Sequence, residues 1–192
     1  MTNFKSGASF WWIVVAIVVV LAAIGGGVTW FLSTLVNPEI VLPIKNESQP
    51  EAFGSRTVSL AYINNFGTVS EQLVVIPTAG EIEADLIATL NALAVAPDDE
   101  NLITAIPVGT KVLAAFYDPN KKSAVIDFSS ELVSAHPGGT AAEHATINVI
   151  MTTIARNFPK IDTCLILVDK AQCETLAGHI ELDRTFNLQE WR

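Results

Sequence analysis

The sequence predicts an α+β domain, a two-layer sandwich in which one mixed sheet carries two helices on one face, preceded by one transmembrane helix. Three observations predict it. Residues 6–38 contain no charged side chain. Beyond them, two pairs of short runs rich in Val, Ile and Leu are each followed by a segment of helical periodicity. Each of those segments has a single apolar stripe, so both helices are expected to cover the same sheet and leave its other face open.

The chain has 192 residues, room for one domain of ordinary size. Eleven Lys and Arg against 20 Asp and Glu give a net charge of -9. Lys5 is the only charged residue among the first 38, so the rest of the chain is more negative still. A field of that sign repels polyanions, which excludes nucleic acid and acidic lipid surfaces as the main partner. Hydrophobic residues make up 50% of the chain and the mean hydropathy is +0.41. The excess sits at the front.

Residues 10–36 are read as the transmembrane helix. At a rise of 1.5 Å per residue they extend roughly 40 Å, against about 30 Å of hydrocarbon. Trp11 and Trp12 lie near one end and Trp30 near the other, as interfacial anchors do. Gly25, Gly26 and Gly27 weaken the helix locally, which lipid tolerates. Lys5 and the amino terminus are the positive charges beside the first end, whereas the other flank begins with Glu39. That asymmetry makes residues 1–9 a short cytoplasmic stretch and places the bulk of the chain outside the cytoplasm. A cleaved signal peptide, with Ala23 and Gly25 at the small-residue positions, is the alternative. The apolar run continues to Val36, past that site, which favours an anchor. Cys164 and Cys173 are too few for a disulfide framework.

Residues 37–56 hold three prolines and little periodicity, the composition of an extended linker. The domain proper is 57–192. Its first strands are expected at 58–63 and 73–76, separated by a polar loop. Thr78 and Glu81 fit a capping box, and Ile82, Leu86, Leu90 and Leu93 recur as the stripe of the helix that follows. Pro97 and the acidic Asp98, Asp99 and Glu100 close it as a solvated loop. Residues 111–117 and 124–128 flank a turn at 118–122 and form a hairpin. Thr140 and Glu143 make a second capping box before a helix with Ile147, Ile150, Met151 and Ile154 on one side, ending near Pro159. Strands at 164–168 and 174–176 are expected to pair about a turn at 169–172. In that register Val168 faces Cys173, and Cys164 lies about 13 Å further along, too far for a disulfide.

Candidate chemistry is sparse. His136 and His144 are eight residues apart, whereas a helical zinc signature needs two His at i and i+4. Glu143 is assigned to the capping box, and His144, on the stripe with Ile147 and Met151, reads as a packed or half-buried first-turn residue. His179 follows Gly178 in a turn, where it either caps carbonyls or meets a ligand. Ser129 and Ser130 follow Asp127 without a G-x-S-x-G elbow. Gly138 and Gly139 precede a helix without the Lys of a phosphate-binding loop. No cofactor or metal ligand set stands out.

Taken in order, several phrases resemble one family. They are IPVGTKVL at 106–113, AVIDFSSEL at 124–132, a Gly-led helix ending in RNFPKI, and LILVDKAQCETLAGH at 165–179, followed by Glu181, Leu182 and Phe186. Together they are similar to the GerMN domain, the sporulation and spore germination module, over roughly 57–187. The phrases place Asp127, Ser129, Gly178, His179 and Glu181 as candidate contact residues. The departures are Ala177 where the family commonly has Gly, Thr185 where a proline usually stands, and a 169–172 turn without its usual glycine. The resemblance implies an extracytoplasmic, membrane-anchored module of the bacterial cell envelope that is not an enzyme. Its partners would be envelope proteins, further copies of itself or peptidoglycan. Two other readings are kept: a small envelope hydrolase using His179 or His144 with nearby carboxylates, and a small-molecule receptor. The receptor needs a pocket of about 300 Å3 or more with converging polar groups.

Overall fold

The computed structural model describes residues 54–192. The expected transmembrane helix at 10–36 and most of the linker lie outside them. Among the described residues no helix is long and apolar enough to cross a membrane.

The domain opens with a long antiparallel hairpin, β1 (Gly54–Asn64) and β2 (Val69–Thr78), paired from Gly54↔Thr78 to Ile63↔Val69. The last three residues assigned to the linker are therefore strand, and so is half of the expected loop. The hairpin closes tightly because Asn64 accepts the amides of Phe66 and Thr68 and Gly67 adopts a positive φ of 75°. Alternation along β1 turns Val58, Leu60 and Tyr62 into the core.

The first helix, α1 (Ile82–Leu93), packs on β1, β2 and the later strand Val112–Asp118 through Leu86, Leu90 and Leu93. Full burial of each such side chain stabilises the fold by about 1.5–3 kcal/mol. The expected Thr78/Glu81 capping box does not form. Glu81 is itself the N-cap, without a side-chain cap bond, and the Thr78 hydroxyl donates to Asp85, the fourth helical residue. Asp85 also accepts the Ala79 amide and pairs with Arg56 of β1 at 2.9 Å. The acid holds strand and helix together instead of closing its own helix end.

After the two-residue β3 (Leu102–Ile103), the hairpin of β4 (Val112–Asp118) and β5 (Ser123–Phe128) follows as expected. A single turn of helix, α2 (Glu131–Ser134), leads to α3 (Thr140–Asn157). This long helix buries Ile147, Ile150, Met151 and Ile154 and returns the chain so that β6 (Thr163–Val168) lies parallel to β5. The segment 174–176 is not a strand. It contributes one bridge, Thr175 to Glu181, while Val168 pairs with Ala171 around a two-residue turn. The last strand is instead β7 (Thr185–Asn187), which sets Phe186 opposite Cys164, followed by a 3-10 turn at Leu188–Trp191. Both cysteines are free.

The β layer is not one sheet. The strands form two, ordered β2-β1-β3 and β4-β5-β6-β7. The physical reason lies in α3, whose Thr153 and Asn157 side chains bond the Ser59 and Ala61 amides on the inner edge of β1. From Ser59 to Ala61 that edge is no longer open to another strand, and β3 pairs with it only beyond, at Ile63 and Asn64. α1 spans the division and caps β4 in the same way, where the Asn91 side-chain oxygen accepts the Val112 amide at 2.9 Å. The result is a mixed α+β core of two sheets and few helices.

Candidate functional site

Two of the turns that carry the resemblance are built on buried carboxylates. Gly138 and Gly139, at φ 77° and 88°, bring the chain into α3. Because Gly139 is the N-cap, Thr140 is already helical and Glu143 is the fourth helical residue, so the second capping box is also absent. Glu143 turns inward and is 0% exposed. One oxygen accepts the amides of Ala177, His179 and Ile180 at 3.2, 3.0 and 2.9 Å, and the other meets His179 Nδ1 at 2.7 Å. Burial alone would raise the carboxyl pKa. The Ile180 amide, the His179 ring and the amides of His179 and Ala177 outweigh it and bring it to about 2. Gly178 supplies the φ of 110° that lets three amides of one short loop converge on one oxygen.

An ionised carboxylate accepts only, so His179 carries its proton on Nδ1 and leaves Nε2 unprotonated when the ring is neutral. The ring is about half exposed. This is an oriented imidazole of the kind that serves as base or ligand. Among the described residues, no Ser, Thr or Cys side chain is hydrogen-bonded to it, and no group of three or more His, Cys, Asp or Glu is placed to hold a metal ion.

Asp127 and Ser129 belong to other turns. Asp127, buried on β5, accepts the Lys170 amide at 2.8 Å, and the Phe128 carbonyl accepts the Asp169 amide. These bonds hold Asp169 and Lys170 at positive φ, 49° and 67°, where two consecutive left-handed residues make the two-residue turn after β6. Ser129 exchanges bonds with Lys111: its amide donates to the Lys111 carbonyl and its hydroxyl accepts the Lys111 amide. Glu181 is exposed. Of the five candidates, the structure therefore joins Gly178 and His179 around Glu143, bridges Glu181 to the base of the same loop, and sets Asp127 and Ser129 apart.

The other two histidines differ. His144 is exposed rather than packed or half-buried, with Nδ1 accepting from Asn148, whose side-chain carbonyl in turn accepts the Trp191 indole N–H. His136 is the internal one. Its Nδ1 accepts the Gly138 amide and its Nε2 donates to Thr146, whose hydroxyl donates to the Ala105 carbonyl. Burial lowers its pKa, against the nearby Glu143 charge, and the neutral ring fits this bonding. His136 lines a cavity of about 400 Å3 with Ile63, Ile103, Ile106 and Val108. The cavity is large enough for a ligand, but the ring of His136 and the hydroxyl of Thr146 are turned to protein partners and do not converge on it.

Glu143 is the residue that sequence reasoning missed. Its spacing from Thr140 fits a local cap, and the amides it binds lie 34 to 37 residues away.

Solved structures share this fold, among them the following three. A candidate lipoprotein from Clostridium perfringens is 22% identical with a TM-score of 0.51, covering 71% of this chain and 89% of its own. The tandem GerMN domains of the sporulation protein GerM from Bacillus subtilis are 15% identical with a TM-score of 0.59 over 71% of this chain. The match spans 48% of that protein, so this chain corresponds to about half of the tandem. The first GerMN domain of GerM alone is 16% identical with a TM-score of 0.53, covering 69% of this chain and 96% of that domain. No curated protein matches the chain. Residues 60–173 match the model of the Germane family, described as sporulation and spore germination, and the chain belongs to that family.

Proposed function

We propose that the protein is a membrane-anchored, extracytoplasmic binding and assembly module of the bacterial cell envelope, acting by protein or peptidoglycan contact without catalysis. One observation carries the reading. The buried acids Asp85, Asp127 and Glu143 all bond to the protein's own backbone or side chains, while large apolar side chains face solvent. Phe66 is 90% exposed and Val108 is 89% exposed, and Phe116 also faces outward. Val108 and Ile103, both exposed, line the same apolar cavity, and a contiguous apolar surface of this kind favours contact with a partner. The family description and the lipoprotein-like relative support an envelope location, and the uncharged residues 6–38 supply the anchor.

The test is a photocrosslinking residue at Val108 or Phe116 of the full chain in living cells, with adducts identified by mass spectrometry. Defined envelope adducts, absent from a control at Asn120, are expected. Equal and indiscriminate labelling from all three positions would sink the proposal.

The oriented His179 is what a hydrolase reading would use. Replacing it by Ala separates the two: a contact module keeps its cellular function and its adducts, whereas a hydrolase loses function with the fold intact.

A further inference from the structure

The strand edges of this domain are treated unequally. The inner edge of β1 is closed by Thr153 and Asn157 at Ser59 and Ala61 and by β3 at Ile63 and Asn64. β4, outermost in the second sheet, has a register shift between Val112 and Ala114 and the Asn91 bond at Val112. Such irregularities discourage pairing with another chain. β2 is the outer strand of the first sheet among the described residues, and it has no bulge, no Lys and one proline, Pro77, near its end.

Its backbone orientation follows from its partner. In an antiparallel pair, a residue whose amide and carbonyl point away from the neighbouring strand stands opposite one that does the same. Ser59 and Ala61 point theirs away from β2, toward α3. Leu73 and Glu71, opposite them, therefore point theirs to the open edge, and Val75 follows by alternation. On the same face Leu73 is 74% and Val75 67% exposed. Glu71, the only ionised side chain on β2, is neutralised by Arg156 at 2.9 Å.

We propose that β2 pairs antiparallel with β2 of a second copy of this chain about a two-fold axis at Leu73, an inference that rests on the assembly reading above. In this register Leu73 meets its own counterpart and Glu71 faces Val75 of the other copy. Residues of one parity stay on one face, so the two Leu73/Val75 stripes merge. Pro77, which has no amide hydrogen, stands opposite Val69 at the end of the overlap, so the ladder is carried by residues 71–75. The chain is acidic at -9, and this edge lets two copies meet without placing like charges opposite each other. Pairing of one short strand buries less than about 1,200 Å2, so the contact is weak and belongs where copies are concentrated.

The test is disulfide trapping of the full chain in membranes. The background is Cys173→Ser, because Cys173 is only half-buried, whereas Cys164 is fully buried with its thiol pushed up to about 12. Directly opposed positions lie about 5.5 Å apart, within disulfide reach. Leu73→Cys is expected to give a covalent dimer on oxidation, Val75→Cys alone is not, and a mixture of Glu71→Cys and Val75→Cys chains is expected to give the mixed dimer. Leu73→Lys should abolish that mixed dimer at unchanged circular dichroism. No dimer from Leu73→Cys, or equal trapping from Val75→Cys, overturns the pairing. If the Val108 photocrosslinker still captures an envelope protein, only the self-pairing falls. If Leu73 instead links to an extended segment of another protein, the edge is used and the second copy is not its occupant.

Discussion

Asn157, the last residue of α3, stands beside Ser59 as a neighbouring strand would. Its side-chain oxygen accepts the Ser59 amide at 2.9 Å and its side-chain nitrogen donates to the Ser59 carbonyl at 2.6 Å. One turn earlier the Thr153 hydroxyl accepts the Ala61 amide. A helix thus ends a sheet with two side chains, and a central strand acquires a finished edge.

Removing that edge partner is costly because buried amide groups lose their bonds without gaining water. Asn157→Ala is expected to destabilise the domain by about 2 kcal/mol, read by urea denaturation. Hydrogen exchange at Ser59 should accelerate while Ile126, deep in the second sheet, keeps its protection relative to global stability. Unchanged exchange at Ser59 would contradict the role given to Asn157.

Glu143 organises a loop from within a helix. Glu143→Ala leaves the amides of Ala177, His179 and Ile180 without their acceptor, and a loss of about 3 kcal/mol or more is expected. Glu143→Gln retains an oxygen and should cost less. The readout that distinguishes this role from simple core packing is protease sensitivity confined to residues 175–181.

The same residue predicts the response to acid. Its folded pKa, about 2, lies below the ordinary 4.5, so the unfolded chain binds the proton first as pH falls. The stability it confers is complete above pH 4.5 and is lost between 4.5 and 2. His136 acts higher on the scale. Its folded pKa is lowered from 6.5 by burial, so its contribution is present above pH 6.5 and declines as pH falls below it. Stability measured by urea titration across pH should decline in two stages, and Glu143→Gln should remove the lower stage and, by taking away the charge that opposes the lowering of the His136 pKa, enlarge the upper one.

The turn after β6 stores strain. Lys170 has a φ of 67°, a region that costs an L-residue with a side chain roughly 1–2 kcal/mol. Lys170→Gly should therefore raise stability by about 1 kcal/mol after the entropic penalty of glycine, seen as a higher Tm. Lys170→Val should lower it. Asp127→Ala should also lower it, since the Lys170 amide then loses its acceptor.

How much of this was legible differs element by element. The stripe of Leu86, Leu90 and Leu93, the hairpin of β4 and β5 and the stripe from Ile147 to Ile154 were all readable, because each is written in spacing along one short segment. The two capping boxes were misread for the same reason. A Thr three residues before a Glu is a local pattern, and it does not reveal whether the acid turns to its own helix or to a distant loop. His144 was misplaced by similar reasoning, since its position on the stripe lies in the first turn, where the helix face is open to solvent. The strand expected at 174–176 failed because the three amides at 177–180 converge on Glu143 instead of joining a ladder.

By itself, then, the sequence determined the uncharged leading segment, the order of hairpins and helices, the apolar face of each helix and the family resemblance. Local periodicity and charge suffice for these, since they depend on neighbours a few residues apart. Only the tertiary structure decided that the strands divide into two sheets, that Glu143 holds the His179 loop, and that β2 keeps an open edge among the described residues. Those outcomes depend on which polar groups far apart in the chain satisfy one another once buried. That pairing is set by three-dimensional proximity and desolvation, neither of which is written in spacing.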